Sequence, residues 1–154
     1  MINLVEDFDI TFKMYLGNQD ANGADGICFV LQNIGTSAIG VSGGGMGYQS
    51  FTTSLGIEFD TWQNTDSGDP TYDHIAIEKN GVVNHNLAEN IAGPVQMDAL
   101  DVNTEDNTDH VVQIKWDASA HLIQVYFDCV FRLQATIDIS NEIFNGQSYV
   151  YWGF

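Results

Sequence analysis

A dense run of carboxylate, amide and imidazole side chains occupies the middle of this 154-residue chain. In sequence order, the run contains Glu58, Asp60, Asn64, Asp66, Asp69, Asp73 and His74. Because side chains alternate along a strand, Glu58 and Asp60 would point to the same side, about 6.5–7 Å apart. Burying unpaired carboxylates is costly, and no lysine or arginine lies between Lys13 and Lys79 to neutralise them. A metal ion is therefore the favoured counter-charge.

The elements that must position these residues are predicted to be strands. Residues 55–77 have the pattern of a strand, a polar loop and a second strand that opens with His74. Other strands are predicted at 8–16, 26–32, 111–116, 122–127, 130–137 and 149–154. Many short strands separated by turn signals, without heptads, repeats or a long amphipathic helix, indicate one all-β domain, an antiparallel β-sandwich of jelly-roll type.

Two hairpin turns are predicted from their residues. Asn80-Gly81 predicts a type I′ turn between strands at 75–79 and 82–86. Asp128-Cys129 predicts a second hairpin turn, although glycine would fit its second position more easily.

Three other segments are predicted to be irregular. Residues 87–108 would form a long loop with at most one short strand, near residues 95–102. Residues 141–145 would hold one helical turn. The glycines Gly43–Gly45 indicate a close backbone approach or unusual dihedral angles.

The composition excludes some classes of partner. Four basic residues against 21 acidic ones give a formal charge of −17, so the chain lacks the basic footprint that nucleic acids and anionic membranes require. No apolar run approaches the ~18 residues of a membrane helix. The first residues lack the basic and apolar regions of a signal peptide.

Cys28 and Cys129 do not have redox-motif spacing; two buried free thiols are favoured, with a disulfide as the alternative.

Four sequence landmarks occur in a recognisable order. They are ADG at 24–26, GGGMGY at 43–48, EFDTWQN at 58–64 followed by DP and DHIAI, and the WD…VYFD segment at 116–128. In the third, the first acid is followed by an acid at +2, an aromatic residue at +4, Asn at +6, Asp at +11 and His at +16. On these residues the chain resembles the legume-type (L-type, concanavalin A-like) lectins, in particular their bacterial relatives, from about residue 8 to residue 154.

The resemblance implies two metal ions. Manganese or another transition ion would be held by Glu58, Asp60, Asp69 and His74. Calcium would be held by Asp60, the backbone carbonyl of Trp62, Asn64 and Asp69. Hard oxygen ligands suit calcium, and an imidazole beside carboxylates suits a manganese-like ion. The remaining acids, Asp66 and Asp73, have no role in the family pattern and are interpreted as solvated.

The same resemblance implies a sugar site. The residues concerned are Asp25, Gly44, Gly45, Trp62 and Asn64. Asp25, after a peptide bond that is cis in the family, would accept hydrogen bonds from sugar hydroxyls, and a backbone N–H near Gly44 or Gly45 would donate one. Asn64 would serve both calcium and sugar, and Trp62 would offer an apolar wall. As alternatives, Asp25 could cap a turn and Trp62 could belong to the core.

Three histidines have no partners in the family pattern and are interpreted as surface or hairpin residues rather than ligands. They are His85, His110 and His121.

The chain also departs from the family pattern. It lacks the family's first strand and its final glycine-rich turn and closing strand, so residues 1–154 are expected to be a single domain truncated at both ends. Open strand edges would then allow copies to pair as a homo-oligomer. The bacterial relatives imply an extracellular or cell-surface location, within an exported adhesion or surface protein.

Three functions remain open on this sequence. The leading one is a carbohydrate-binding lectin domain that depends on Ca²⁺ and a Mn²⁺-like ion, binds glycans and has no catalytic activity. The second is a structural or protein-binding sandwich stabilised by the same metals. The third is a glycosidase of the same fold, which needs two carboxyl groups across the scissile bond; the positions expected for the second glutamate hold Trp62 and Gln63 instead.

Overall fold

Two antiparallel β-sheets pack face to face in the computed structural model, which describes residues 1–154. The larger sheet has six strands, in the spatial order β1 (Ile2–Asn3), β10 (Tyr149–Gly153), β3 (Gly26–Gln32), β4 (Ser54–Asp60), β5 (His74–Lys79) and β6 (Asn90–Gln96). The smaller sheet has four, in the order β2 (Phe8–Tyr15), β7 (Asp109–Asp117), β8 (Leu122–Phe127) and β9 (Val130–Thr136). The predicted antiparallel β-sandwich is confirmed.

The hydrophobic core lies between the two sheets and is built by strand alternation. In β7, Val112, Ile114 and Trp116 are buried, while the residues between them are only partly buried. Ile57 and Phe59 of β4 belong to the same cluster of 24 buried side chains. Alternation therefore sends every second residue of these strands into one shared interior.

Strand β4 is buried on both faces, unlike β7. Because Ile57 and Phe59 face the core, the alternate residues Glu58 and Asp60 face the outer side of the larger sheet. Loops cover that outer side, and a second small apolar cluster, which includes Cys28 and Tyr48, lies beneath them. The chemistry-bearing residues of β4 are thus enclosed between a sheet and its own loops.

The hairpin predicted at Asn80-Gly81 is only half correct. Both residues have positive φ, +61° and +66°, as a type I′ turn requires. No strand follows at residues 82–86, however, and β5 pairs instead with β6. The turn is held against neighbouring chain, since Gly81 N donates to Ser54 Oγ at 3.0 Å. Residues 82–89 therefore form a loop over the sheet rather than a strand in it.

The other local predictions fall close to the observed elements. The turn at Asp128-Cys129 joins β8 to β9 with φ values of +47° and +65°. The short strand predicted near residues 95–102 was placed too late, since β6 ends at Gln96. The helical turn, α1 (Ile139–Glu142), begins earlier than predicted. Asp138 accepts from Asn141 N at 3.1 Å and so caps its start.

The two cysteines lie in different surroundings. Cys28 is buried in β3, whereas Cys129 is exposed at the tip of the β8–β9 turn. The prediction of two free thiols is confirmed, but the prediction that both are buried is wrong for Cys129 because turn residues project into solvent. None of the helices is long or apolar enough to span a membrane.

Candidate metal and ligand site

Strand register brings the first part of the candidate site together. Asp60 of β4 lies directly opposite His74 of β5, and Gly56 lies opposite Glu78. Because Glu58 shares a face with Asp60, and Glu78 shares a face with His74, four ionisable side chains converge on the outer side of the larger sheet. All four residues are buried, and Glu78 is fully inaccessible.

The loop after β4 folds back over these residues through its own backbone. Trp62 N donates to Asp60 Oδ1 at 2.7 Å, and Asn64 N donates to Asp69 Oδ2 at 2.5 Å. A 3-10 turn at Thr65–Ser67 then reverses the chain. These contacts bring Asp69 back to the sheet, where Asp60, Asp69 and His74 offer ligand atoms within 4.8 Å of one another.

A second histidine enters the site from the loop that follows the Asn80-Gly81 turn. His85 Nε2 lies 2.9 Å from His74 Nε2, 3.2 Å from Glu58 Oε1 and 3.4 Å from Asp69 Oδ1. Its side chain is only 4% exposed. The interpretation of His85 as a surface residue is therefore wrong, because residues 82–89 fold over the sheet instead of leaving it.

Burial and mutual repulsion dominate the electrostatics of the site. Burial, together with the neighbouring Glu78 carboxylate, raises the pKa of Glu58 well above its usual range. Burial and the charges of Glu58 and Asp69 raise the pKa of Asp60 to about 8, although the Trp62 backbone N–H opposes this. Burial and the adjacent His85 lower the pKa of His74 to about 4. The enclosed carboxylates are thus destabilised as anions in the absence of a cation.

The donor set fits the two ions that the sequence predicts. Glu58 Oε1 is buried without a hydrogen-bond partner, and an unpartnered buried carboxylate oxygen is costly unless a cation neutralises it. The carboxylates of Asp60 and Asp69, with the amide of Asn64, offer the hard oxygen ligands that calcium takes. His74 beside Glu58 offers the mixed imidazole and carboxylate set of a transition ion.

The glycine-rich segment and Asp25 lie beside this loop. A Cβ added to Gly44 would be 3.1 Å from Asn64 Oδ1, and one added to Gly43 would be 3.8 Å from Asp25 Oδ2. The peptide bond between Ala24 and Asp25 is cis, as the resemblance implies. Backbone and polar side chains from three separate loops therefore meet around one surface position.

The two other predicted sugar-site residues, Gly45 and Trp62, differ in burial. Gly45 is buried and packs toward Val41 and Gln49, where an added Cβ would lie within 3 Å of their side chains. Trp62 is 41% exposed and so does not belong to the core. Together with Pro70 and Tyr72 it lines a surface pocket of about 330 Å³ beside the metal loop.

Several polar residues that were given no role prove to be structural. Asp73 is buried and accepts from both Thr104 N and Thr104 Oγ1, at 2.6 and 2.8 Å. It is therefore not solvated as predicted, whereas Asp66 is exposed. His110 is also buried and contacts Asp128 Oδ2 at 2.8 Å, so its assignment to the surface was wrong.

Glu78 and His85 are the site residues that the sequence analysis missed. Strand alternation alone places Glu78 on the same face as His74, four residues earlier, so its position could have been predicted. His85 carries no such signal. It reaches the site only because residues 82–89 form a loop, and the sequence favoured a strand there.

With this geometry in view, comparison with known proteins is informative. Residues 1–154 match the family model described as the legume lectin beta-barrel domain. The chain belongs to the L-type lectin domain family. The sequence-based recognition of the family is thereby confirmed.

Among curated proteins, this L-type lectin domain is similar to plant lectins over about half its length. It is 36% identical over 84 residues to Lectin-4 of Griffonia simplicifolia, covering 49% of this chain and 34% of that protein. It is 32% identical over 94 residues to a lectin of Dioclea lasiophylla, covering 49% and 32%. The match therefore spans about a third of the length of these relatives.

Among solved structures, the fold resembles other legume lectins. Peanut lectin, solved with a nine-residue peptide, gives a TM-score of 0.70 at 21% identity, covering 95% of this chain and 61% of that one. Basic winged bean lectin, solved with Tn-antigen, gives 0.67 at 21% identity, covering 91% and 60%. The predicted concanavalin A-like jelly roll is confirmed by this similarity.

Proposed function

We propose that this domain binds carbohydrate non-catalytically and depends on Ca²⁺ and a transition ion to do so. The observation that carries the proposal is the meeting of Asp25, Asn64 and the Gly43-Gly44 backbone next to the buried carboxylate and imidazole cluster. Relatives recognise sugars: the Bauhinia forficata lectin was solved with GalNAc, and a Centrolobium tomentosum lectin is described as mannose/glucose-specific.

In this proposal the ions order the ligand groups and do not activate water. Calcium would be held by Asp60, Asp69, Asn64 and the Trp62 carbonyl, and the transition ion by Glu58, Asp60, Asp69 and His74. Fixing Asn64 and the loop then positions Asp25 as an acceptor and Gly44 as a backbone donor for sugar hydroxyls. Trp62 would offer an apolar wall to the sugar ring, and Gly45 would support the backbone beside Gly44.

The proposal extends to where the domain works. By family resemblance, we place it outside the cell or on a bacterial surface, within an adhesion protein. Binding through one such site is weak, and repeated display would raise avidity.

A glycan array tests the proposal directly. Binding in calcium plus manganese that disappears after EDTA treatment supports it and names the sugar class. Turnover of a β-glucan would favour a glycosidase instead. Binding of no glycan in either condition would favour a structural role for the metals.

A single substitution separates the sugar site from the metal site. Asp25→Asn should abolish glycan binding on the same array, because the amide replaces one of the two acceptor oxygens with an N–H donor and removes the negative charge. Calcium binding should persist, since Asp25 is not among the proposed ligands. Asp109→Asn, an exposed aspartate on the smaller sheet, is the matched control and should leave the array unchanged. Full glycan binding by Asp25→Asn would contradict the assignment.

A further inference from the structure

His85 has no place in the metal set implied by the family, yet it lies at the centre of the cluster. Its Nε2 atom is within 3.4 Å of three other potential ligand atoms, contributed by His74, Glu58 and Asp69. Some interaction must hold these four polar groups together.

A hydrogen bond between the two imidazoles does not account for the arrangement. One N–H between His74 and His85 would satisfy that pair alone. Glu58 Oε1, 3.2 Å from the same His85 nitrogen, has no hydrogen-bond partner although the side chain is only 3% exposed. A cation between the groups would neutralise all of them together.

The spacing matches joint coordination of one ion. Zinc–nitrogen bonds are about 2.0–2.1 Å long, so two ligands at a right angle lie about 2.9 Å apart and two tetrahedral ligands about 3.3 Å apart. The observed separations from His85 Nε2 are 2.9 Å to His74, 3.2 Å to Glu58 and 3.4 Å to Asp69. These distances fall in the range expected for neighbours in one coordination shell.

The Nδ1 side of the His85 ring faces another carboxylate, that of Glu78. The Nδ1 atom lies 3.2 Å from Glu78 Oε1, both atoms are buried without any other hydrogen-bond partner, and Glu78 is fully buried. The Tyr48 hydroxyl lies 2.9 Å from Glu78 Oε2 and so fixes that carboxylate. A carboxylate behind a histidine sets the tautomer and orientation of the ring for metal binding through Nε2.

We propose that His85 is a direct ligand of the transition ion, that Glu78 positions it, and that the resulting two-histidine site prefers zinc over manganese. The inference rests on the transition-ion site of the proposed function. Imidazole ligands suit zinc, copper and nickel, whereas carboxylates and water suit manganese. A second imidazole among the ligands therefore shifts the preference of the site away from manganese.

X-ray absorption at the zinc edge tests the coordination in the wild-type chain. The protein is stripped with EDTA, saturated with calcium and loaded with one equivalent of Zn²⁺. Two imidazole ligands are expected in the wild type and one in His85→Ala. A single imidazole in the wild type, or no zinc bound, would overturn the inference without any reliance on a variant.

Competition titrations of Zn²⁺ and Mn²⁺ test the selectivity. Removing a residue that only hydrogen-bonds a metal ligand typically costs ~10–100-fold in metal affinity, and Glu78→Gln should lower Zn²⁺ affinity by this amount. His85→Ala and His85→Gln remove a ligand itself and should reduce the preference for Zn²⁺ over Mn²⁺ by at least ~10-fold. His121→Ala, a half-exposed histidine on the other sheet, is the control and should match the wild type. An unchanged zinc-to-manganese ratio in both His85 variants would refute the role of His85.

Glycan binding is measured on the same samples to keep the two proposals apart. Zinc bound by two imidazoles with no glycan bound would contradict the proposed function alone. Glycan binding with one imidazole on the metal would contradict the His85 inference alone.

Discussion

At the scale of single residues, the Asp60 carboxylate has opposite effects on folding stability with and without a bound metal ion. Its pKa is raised to about 8 by burial and by the charges of Glu58 and Asp69. A carboxyl whose folded pKa lies above its unfolded value destabilises the fold at any pH above that unfolded value. The same charge becomes stabilising once a bound cation faces it.

We therefore expect Asp60→Asn to maintain or raise the stability of the metal-free protein and to lower the stability of the calcium-bound protein. In EDTA at neutral pH the variant should melt at or above the wild-type temperature, because a neutral amide avoids the cost of protonating a buried carboxyl whose unfolded pKa lies well below neutral pH. In calcium at about 100 times the wild-type dissociation constant it should lose ~2.7 kcal/mol relative to its own standing against the wild type in EDTA, because the variant lacks the stabilisation that such binding gives. Differential scanning calorimetry in both buffers provides the measurement. A variant that melts like the wild type in calcium would exclude Asp60 as a ligand.

His110 is a second residue whose charge state affects folding stability. It lies away from the metal cluster. Burial disfavours its charge, but the hydrogen bond and charge of Asp128, helped by Asp106, outweigh burial and raise the pKa of His110. A raised histidine pKa contributes stability that is fully present below the unfolded value and is lost as pH rises through the folded value. Both aspartates are nearly half exposed, so the effect should not exceed ~1 kcal/mol.

Asp128→Asn should remove this contribution. The amide suits the positive φ of +47° at that position, so the turn itself should survive. Urea unfolding is measured for both proteins from pH 5 to pH 9, and the difference in stability should be largest at the acidic end and vanish toward the alkaline end. Taking the difference at each pH cancels the contribution of the metal cluster. A difference that is constant with pH would show that His110 is not charged in the fold.

At the scale of secondary structure, the glycine in the middle of β4 allows the second apolar cluster to form. The Tyr48 ring packs against Gly56, where an added Cβ would be 2.7 Å from two ring atoms. The ring is fully buried, and its hydroxyl holds Glu78. The approach of this loop to the sheet thus supports the carboxylate behind His85.

Gly56→Ala should destabilise the fold by ~1–3 kcal/mol, the usual effect of overpacking. It should also weaken Zn²⁺ binding, since displacing Tyr48 frees Glu78. Chemical denaturation and zinc titration are the two measurements. Gly153→Ala, where an added Cβ meets nothing within 4 Å, is the control. Normal stability in Gly56→Ala would show that the Tyr48 ring moves without cost.

The sequence predicted the regular elements better than the loops, for a physical reason. Strand alternation is a local property, so the shared face of Glu58 and Asp60 could be predicted from β4 alone. The turn type at Asn80-Gly81 was equally local and was correct. The path after that turn depends on packing against residues 50–54, which are distant in sequence. His85 was missed for this reason.

The same limit applies to Asp73. An aspartate in a polar loop is usually solvated, and only the long segment between β6 and β7 brings Thr104 to it. Family resemblance supplied the metal and sugar residues as a pattern. It could not supply residues that this chain adds to the pattern, such as Glu78 and His85.

At the scale of the whole molecule, charge imbalance sets the background for every metal effect. The formal charge is −17, with four basic residues in all. Net charge of this size destabilises the compact state by self-repulsion, which salt screens. Any divalent cation will therefore stabilise the protein to some extent without a specific site.

Specific and general cation effects should separate at constant ionic strength. In EDTA, the melting temperature should rise with NaCl in both the wild type and Asp60→Asn, because screening acts on the whole surface. Replacing part of the NaCl with CaCl₂ should raise it further in both, and by clearly more in the wild type. MgCl₂ should give a smaller increment, since magnesium demands near-ideal octahedral geometry and gives up its water reluctantly. Equal increases in melting temperature from calcium and magnesium in the wild type would show that calcium acts only by screening charge. The ordering of Asn64 beside the sugar position would then need another cause.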